Sequence, residues 1–299
     1  MNALAFMQAR SMMYFTKGGT RTESGENLSF GEKVKVLLSG VNMPRPSAPP
    51  EALPLTAAYE DVRIPGEDDI TLGALYRSHG DSTPLVILFH GYSSEKSSLL
   101  EEASAFYDFG CSVLLVDFRG SGSSSGDYTT IGVREASDVL AAVTYAGTNL
   151  KQAKLILFGQ SMGGGAVLRA VHEDRLHADA IIVEGIFDRM INTVRNRFEK
   201  MNLPSFPAAE LLIFWGGVQM GFDGFSHNPV DYAADVTEPI LFLHGTADRR
   251  ARIEDGRRVF DAVKGEKYFV PLEGAGHERC YEEHPAEWTA AVEEFLEKQ

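Results

Sequence analysis

A chain of 299 residues with 44% apolar side chains can bury a full hydrophobic core, and α/β folds often use this length as one domain. Its formal net charge of −14 argues against a nucleic-acid partner, whose phosphates it would repel, and disfavours adsorption to anionic lipid surfaces. Two cysteines give no disulfide framework, and no Cys/His/Asp cluster has metal-ligand spacing, so neither a metal nor another cofactor is expected.

In chain order, Met1–Phe15 mixes apolar residues with Gln8 and Arg10 and lacks the basic start and long apolar core of a signal peptide. No apolar run is long enough for a transmembrane helix, and a cytoplasmic location is the expectation. Residues 1–58 read as an N-terminal extension that closes on the proline-rich stretch Pro44–Pro50, which cannot sit inside a regular helix or sheet. The Met and Phe residues before it are expected to pack on the main domain.

Strand and helix patterns alternate over 59–299. The predicted strands are Glu60–Ile64, Thr71–Arg77, Pro84–Phe89, Val113–Asp117, Lys154–Phe158, Ala180–Glu184, Pro239–His244 and Lys267–Leu272. Pro65-Gly66-Glu67-Asp68-Asp69 joins the first two as a hairpin. The helical segments between the others imply right-handed crossovers in a mainly parallel, eight-stranded sheet of α/β class. The alternation breaks at about 188–235, a strandless insertion rich in Met and aromatic residues. It leaves a strand's C-terminal end and is therefore expected to form a helical cap, with Trp215, Phe222 and Phe225 as candidate substrate contacts.

The most informative local pattern is Gly159-Gln160-Ser161-Met162-Gly163, placed between the apolar run Leu155–Phe158 and a helical pattern. A serine hydroxyl becomes a useful nucleophile when a base is held against it. A tight strand-to-helix turn exposes its oxygen, and glycines on either side let strand and helix approach. Gly122-Ser123-Ser124-Ser125-Gly126 fits the same spacing, but no strand leads into it and no helix follows, so Ser124 reads as part of a loop.

A nucleophile at Ser161 needs an acid and a histidine later in the chain. His277, in a glycine-flanked turn after Lys267–Leu272, lies where open α/β sheets build their sites. His172 and His177 read as solvated, His227 as a loop residue and weak substrate-contact candidate, and His79 and His284 as surface residues. Asp248, closing the strand-loop His244-Gly245-Thr246-Ala247-Asp248, is favoured as the acid that orients His277. Glu184 and Asp188, at the end of another strand, are its rivals. His90-Gly91-Tyr92 follows a strand, so the backbone amides of Tyr92 and Met162 are the expected oxyanion donors, with the His90 side chain structural. Cys111 and Cys280 read as packed thiols.

Taken together, His90-Gly91, Asp117-Phe118-Arg119-Gly120, Gly159–Gly163, His244–Asp248 and Gly276-His277 resemble the α/β-hydrolase superfamily, in its esterase and acyl-hydrolase branch. The resemblance spans roughly residues 60–299. It implies Ser161, Asp248 and His277 as a catalytic triad, Tyr92 and Met162 as oxyanion donors, and a largely structural role for Asp117 and Arg119. The expected activity is hydrolysis of a small-molecule carboxylic ester through an acyl-enzyme, without a cofactor. Thioester or peptide cleavage and acyl transfer would use the same machinery, and a non-catalytic receptor is the reading from a different class. The sequence leaves the oligomeric state open.

Overall fold

The computed structural model describes every residue except 24–28, 50–51, 53–54, 175 and 278–279, so Pro50 of the proline-rich stretch lies outside the described residues. Eight strands form one sheet: β1 (Glu60–Pro65), β2 (Thr71–Arg77), β3 (Thr83–Phe89), β4 (Ser112–Val116), β5 (Gln152–Gln160), β6 (Ala180–Glu184), β7 (Ile240–Gly245) and β8 (Lys267–Leu272). Their order is β1-β2-β4-β3-β5-β6-β7-β8. β1, β2 and β4 pair antiparallel, and all remaining neighbours are parallel. The hairpin expected between β1 and β2 is present, with Asp68 and Asp69 both at positive φ and Gly66 N–H donating to the Ile70 carbonyl at 2.8 Å.

Central strands read as unbroken apolar runs because helices cover both faces of the sheet. On one face, α4 (Glu135–Asn149), α5 (Met162–Asp174) and α9 (Ile253–Ala262) bury Val139, Val167 and Val259 against Ile87, Leu157 and Phe242. On the other, α3 (Leu100–Asp108) and α11 (Pro285–Glu297) bury Phe106 and Trp288 against Leu88 and Phe158. Such a sheet delivers the loops after its parallel strands to one edge, where β3, β5, β6, β7 and β8 all end.

Between β6 and β7 the chain is strandless and mostly helical, through α6 (Met190–Lys200), α7 (Ala208–Met220) and the short α8 (Pro229–Tyr232). The N-terminal segment contributes α1 (Asn2–Met13) and α2 (Phe30–Ser39). α1 packs on α7: Ala9 and Met13 form a buried cluster with Met220, flanked by Leu212, Trp215 and Phe222. After α1 the chain pairs with the loop following β4, Phe15 N–H donating to Asp127 O and Thr129 N–H to Met13 O, both at 2.8 Å. Arg45 then inserts its guanidinium among carbonyls, donating to Gly126 at 2.6 Å, Gly122 at 3.1 Å, Ser121 at 3.3 Å and also to Ser124. Among the Met and Phe residues of the extension, Phe6 and Met13 pack on the insertion, whereas Phe15 and Met43 meet the loops after β4 and β3. No helix of the described residues is long and apolar enough to cross a membrane. α10 (Cys280–Glu283) links the β8 loop to α11.

Candidate active site

Ser161 occupies the single residue between β5 and α5, with φ of 51°, a left-handed conformation that a residue with a Cβ adopts only when its surroundings impose it. Two bonds clamp it: its N–H donates to the Glu184 carbonyl at 2.7 Å, and its own carbonyl accepts from Gly165 N–H at 3.1 Å. The glycines are required sterically. A Cβ on Gly159 would lie 2.5 Å from the Gly164 nitrogen, and one on Gly163 would lie 2.3 Å from the Phe89 carbonyl oxygen. Strand, turn and helix therefore close together only with this sequence, and the serine oxygen is pushed outward.

His277 meets that oxygen from the loop after β8. Its Nε2 is 2.9 Å from Ser161 Oγ, and its Nδ1 is 2.7 Å from Asp248 Oδ2. With the proton on Nδ1 and donated to the carboxylate, Nε2 is left as the acceptor facing the serine hydroxyl. Asp248 is buried, and its other oxygen accepts the backbone amides of Arg250 at 2.7 Å and Ala251 at 3.0 Å. Behind it, His244 Nε2–H donates to the Ala251 carbonyl at 2.8 Å, and burial pushes the His244 pKa down, so this ring is a neutral strut for the acid loop. The acid and histidine loops are stapled to each other by Ala247 N–H on Ala275 O at 3.0 Å and Gly274 N–H on Thr246 Oγ1 at 2.8 Å.

The two other carboxylates considered at this position are placed elsewhere. Glu184 lies behind the elbow, fully buried, accepting from Gln160 Nε2 at 2.9 Å and Trp288 Nε1 at 3.0 Å. Burial raises its pKa, opposed by those two hydrogen bonds and by the charge of nearby His277. Asp188 is committed to Arg258, 2.8 Å away, and to Asn192.

The turn after β3 abuts the elbow, with the Cβ position of Gly91 only 3.7 Å from Ser161 Cβ. His90 is buried with both ring nitrogens engaged: Nδ1–H donates to Gly91 O at 2.8 Å and Nε2 accepts Phe118 N–H at 3.1 Å. Burial lowers its pKa, so it is a neutral brace for the turn. The amide of Met162 sits in the first turn of α5, where N–H groups have no intrahelical acceptor and the helix dipole favours negative charge. Tyr92 is held by its side chain as well: its hydroxyl donates to Met12 O at 2.5 Å and lies 3.1 Å from Met43 Sδ, while the Arg197 guanidinium stands 5.2 Å from its ring centre. This tie to the extension has no local signature, because its partners are far apart in the chain.

Ser124, the second motif match, is buried, donating to Asp117 O at 2.7 Å and accepting Gly73 N–H at 2.9 Å. Asp117 and Arg119 are structural hubs: Asp117 pairs with buried Lys96 at 2.5 Å, and Arg119 grips Asp138 at 2.7 Å. Lys96 and Asp138 carried no motif signal.

The three aromatic candidates of the insertion lie as follows. Trp215 stacks edge-to-face with Phe6 at 5.6 Å and donates to Asn2 Oδ1 at 3.2 Å, Phe222 joins the α1–α7 cluster, and Phe225 is 41% exposed. α1 packs on the side of α7 that carries Trp215 and Met220. His227 lies in the loop just before α8, as expected, but inside the protein. It is buried beside Phe187 and Tyr232, and burial holds it neutral, its pKa pushed down to about 3. His172 and His177 lie near Asp235 (2.7 Å) and Glu238 (2.8 Å). Both cysteines are buried free thiols whose pKa burial raises, Cys111 to about 11. No group of three or more His, Cys, Asp or Glu among the described residues is placed to hold a metal.

Residues 80–207 match the family model described as "Serine aminopeptidase, S33". The chain is 27% identical to the uncharacterized protein YqkD of Bacillus subtilis, over 73% of this chain and 72% of that one. It is 28% identical to the uncharacterized protein Rv2307c of Mycobacterium tuberculosis, over 76% and 75%. Among solved structures, the esterase Pf2001 of Pyrococcus furiosus superposes with a TM-score of 0.71 at 25% identity, covering 86% of this chain and 97% of that one. Est1E of Butyrivibrio proteoclasticus, solved with ferulic acid bound, gives 0.64 at 22% identity, covering 80% and 98%. With its sheet, its motif order and these likenesses, the chain belongs to the α/β-hydrolase superfamily.

Proposed function

We propose that this α/β hydrolase cleaves carboxylic esters through an acyl-enzyme intermediate. The observation that carries the reading is the relay Ser161 Oγ to His277 Nε2 at 2.9 Å and His277 Nδ1 to Asp248 Oδ2 at 2.7 Å, built on a left-handed elbow. In this reading Ser161 Oγ attacks the acyl carbon as its proton passes to His277 Nε2, and Asp248 stabilises the imidazolium. The amides of Tyr92 and Met162 receive the oxyanion, each worth roughly 3–4 kcal/mol of barrier. The tetrahedral intermediate collapses with the C–O bond breaking, and His277 returns the proton to the leaving alkoxide. Water, deprotonated by the same nitrogen, then attacks the acyl-enzyme and releases the carboxylic acid and Ser161.

Esterases among the structural neighbours support the choice of an ester substrate. Residues 188–235 act in this reading as a cap together with the N-terminal extension, since Arg197 of α6 and Met12 of α1 both reach Tyr92. A fluorophosphonate probe tests the proposal: it should label Ser161 in the native chain and nothing in Ser161→Ala. An unlabelled, folded native chain would favour the receptor reading. A series of nitrophenyl esters of increasing acyl length then ranks substrates.

A further inference from the structure

Ten large apolar side chains are exposed among the described residues, and their placement is not random: five lie in the extension and five between residues 203 and 225. None belongs to the sheet or the helices that cover it. The centre of the group is contiguous across the α1–α7 pair. Phe6 packs on Trp215 at 5.6 Å, Trp215 on Phe214 at 5.1 Å, and Gln219 donates to the Phe6 carbonyl at 3.1 Å. Phe214 and Val218 are one turn apart and 50% and 53% exposed. Gln8 of α1 donates to the carbonyls of Val36 and Leu37, which brings exposed Leu37 and Leu38 of α2 alongside.

Charge is segregated in the same way. Residues 1–49 and 189–220 together hold ten Lys or Arg against five Asp or Glu, whereas the rest of the chain holds eighteen against thirty-seven. Arg10 shares the outer face of α1 with Phe6 and Met7, and Lys17 and Lys35 of the same extension are exposed. An apolar helical face that carries a cation, in segments with a basic excess, is the pattern of a helix that lies in a lipid interface, with ring and aliphatic groups in the acyl boundary and cations on the headgroups. A symmetric pair of copies would instead bring two like basic segments together. The whole-chain charge, which disfavours anionic surfaces, averages over segments of opposite sign.

We propose that the α1–α7 face docks on a bilayer bearing anionic phospholipid. This goes beyond the hydrolytic reading and does not depend on it. The test uses the Ser161→Ala chain with sucrose-loaded vesicles of phosphatidylcholine, alone or mixed with phosphatidylglycerol. Co-sedimentation should be strong on mixed vesicles and weak on phosphatidylcholine alone. Phe214→Ser should lower partitioning by about tenfold, the scale of an aromatic side chain withdrawn from an apolar phase. Met7→Ser, on the neighbouring helix, gives a second readout should Phe214→Ser fold poorly, and Arg10→Gln should weaken binding to mixed vesicles only. Tryptophan emission should shift to the blue on binding, reporting half-exposed Trp215 because Trp288 is already buried. Absence of co-sedimentation on mixed vesicles, or partitioning unchanged in both serine variants, would overturn the proposal. So would a dimer in sedimentation velocity that Phe214→Ser dissociates, since the face would then belong to a second copy.

Discussion

Asp248→Asn offers the sharpest test of the relay, because the carboxylate has a fixed job for each oxygen. One accepts the amides of Arg250 and Ala251, at 2.7 and 3.0 Å, and the other accepts His277 Nδ1–H. An asparagine cannot do both. If its oxygen stays on the two amides, its NH2 faces Nδ1 and drives the imidazole proton onto Nε2, where it cannot accept the Ser161 proton. If it flips, the NH2 confronts two buried N–H donors and strands them, at roughly 1–3 kcal/mol each. The flipped form therefore lies about 2–6 kcal/mol higher, and the wrong tautomer dominates by a factor of about 30 at the low end. The imidazolium also loses its counter-charge. Together these effects should lower kcat roughly 10^3- to 10^4-fold with little change in thermal unfolding. Hydrolysis of nitrophenyl butyrate and a melting curve on each variant check this. Glu184→Gln is the control, since the Ser161 amide bonds the Glu184 main-chain carbonyl, which the substitution leaves in place. A kcat within tenfold of native for Asp248→Asn, or a deeper loss for Glu184→Gln, would refute the reasoning.

Ser124→Ala should keep ester turnover while destabilising the fold by roughly 1–3 kcal/mol, because it removes a buried acceptor for Gly73 N–H; a melting curve beside a rate assay separates the two effects. His227 predicts a pH dependence of stability. Its folded pKa of about 3 lies below the unfolded value of about 6.5, so only the unfolded chain takes up a proton between them. Stability at neutral pH should fall as pH drops through that window, by up to about 1.4 kcal/mol per pH unit, and His227→Gln should flatten the slope measured by thermal unfolding. Arg45→Gln should cost roughly 1.5–3 kcal/mol and speed amide exchange in residues 1–22 ahead of the sheet; unchanged exchange there would mean that the carbonyl nest does not anchor the extension.

The sheet was legible because strands buried on both faces leave continuous apolar runs, and every predicted strand is found with ends shifted by two residues or fewer. β5 starts at Gln152 rather than Lys154, since its first residues pair at the sheet's polar rim where no apolar signal exists. The relay was legible for a different reason. An elbow this tight admits only glycine at 159 and 163, so geometry writes itself into sequence. The supporting groups left no such mark. Lys96, Asp138 and His244 act through partners that ordinary spacing rules do not connect, and their roles appear only when burial and distance are known.

The insertion shows where pattern reading fails physically. α7 is apolar on all sides, so its periodicity does not say which face is inward. Half of that ambiguity is resolved by α1, which arrives from about two hundred residues earlier and covers Met220 and Trp215 with Ala9, Met13 and Phe6. The same helix carries Met12 in its last turn, whose carbonyl takes the Tyr92 hydroxyl, so one element sets both the insertion's packing and a side chain of the turn after β3. Treated separately, extension and insertion look like a tail and a lid with spare aromatics. Paired, they leave an outer apolar face and an inner contact at Tyr92. A lesion that frees the extension, such as Arg45→Gln, should therefore disturb the turn at Tyr92 before it disturbs the sheet.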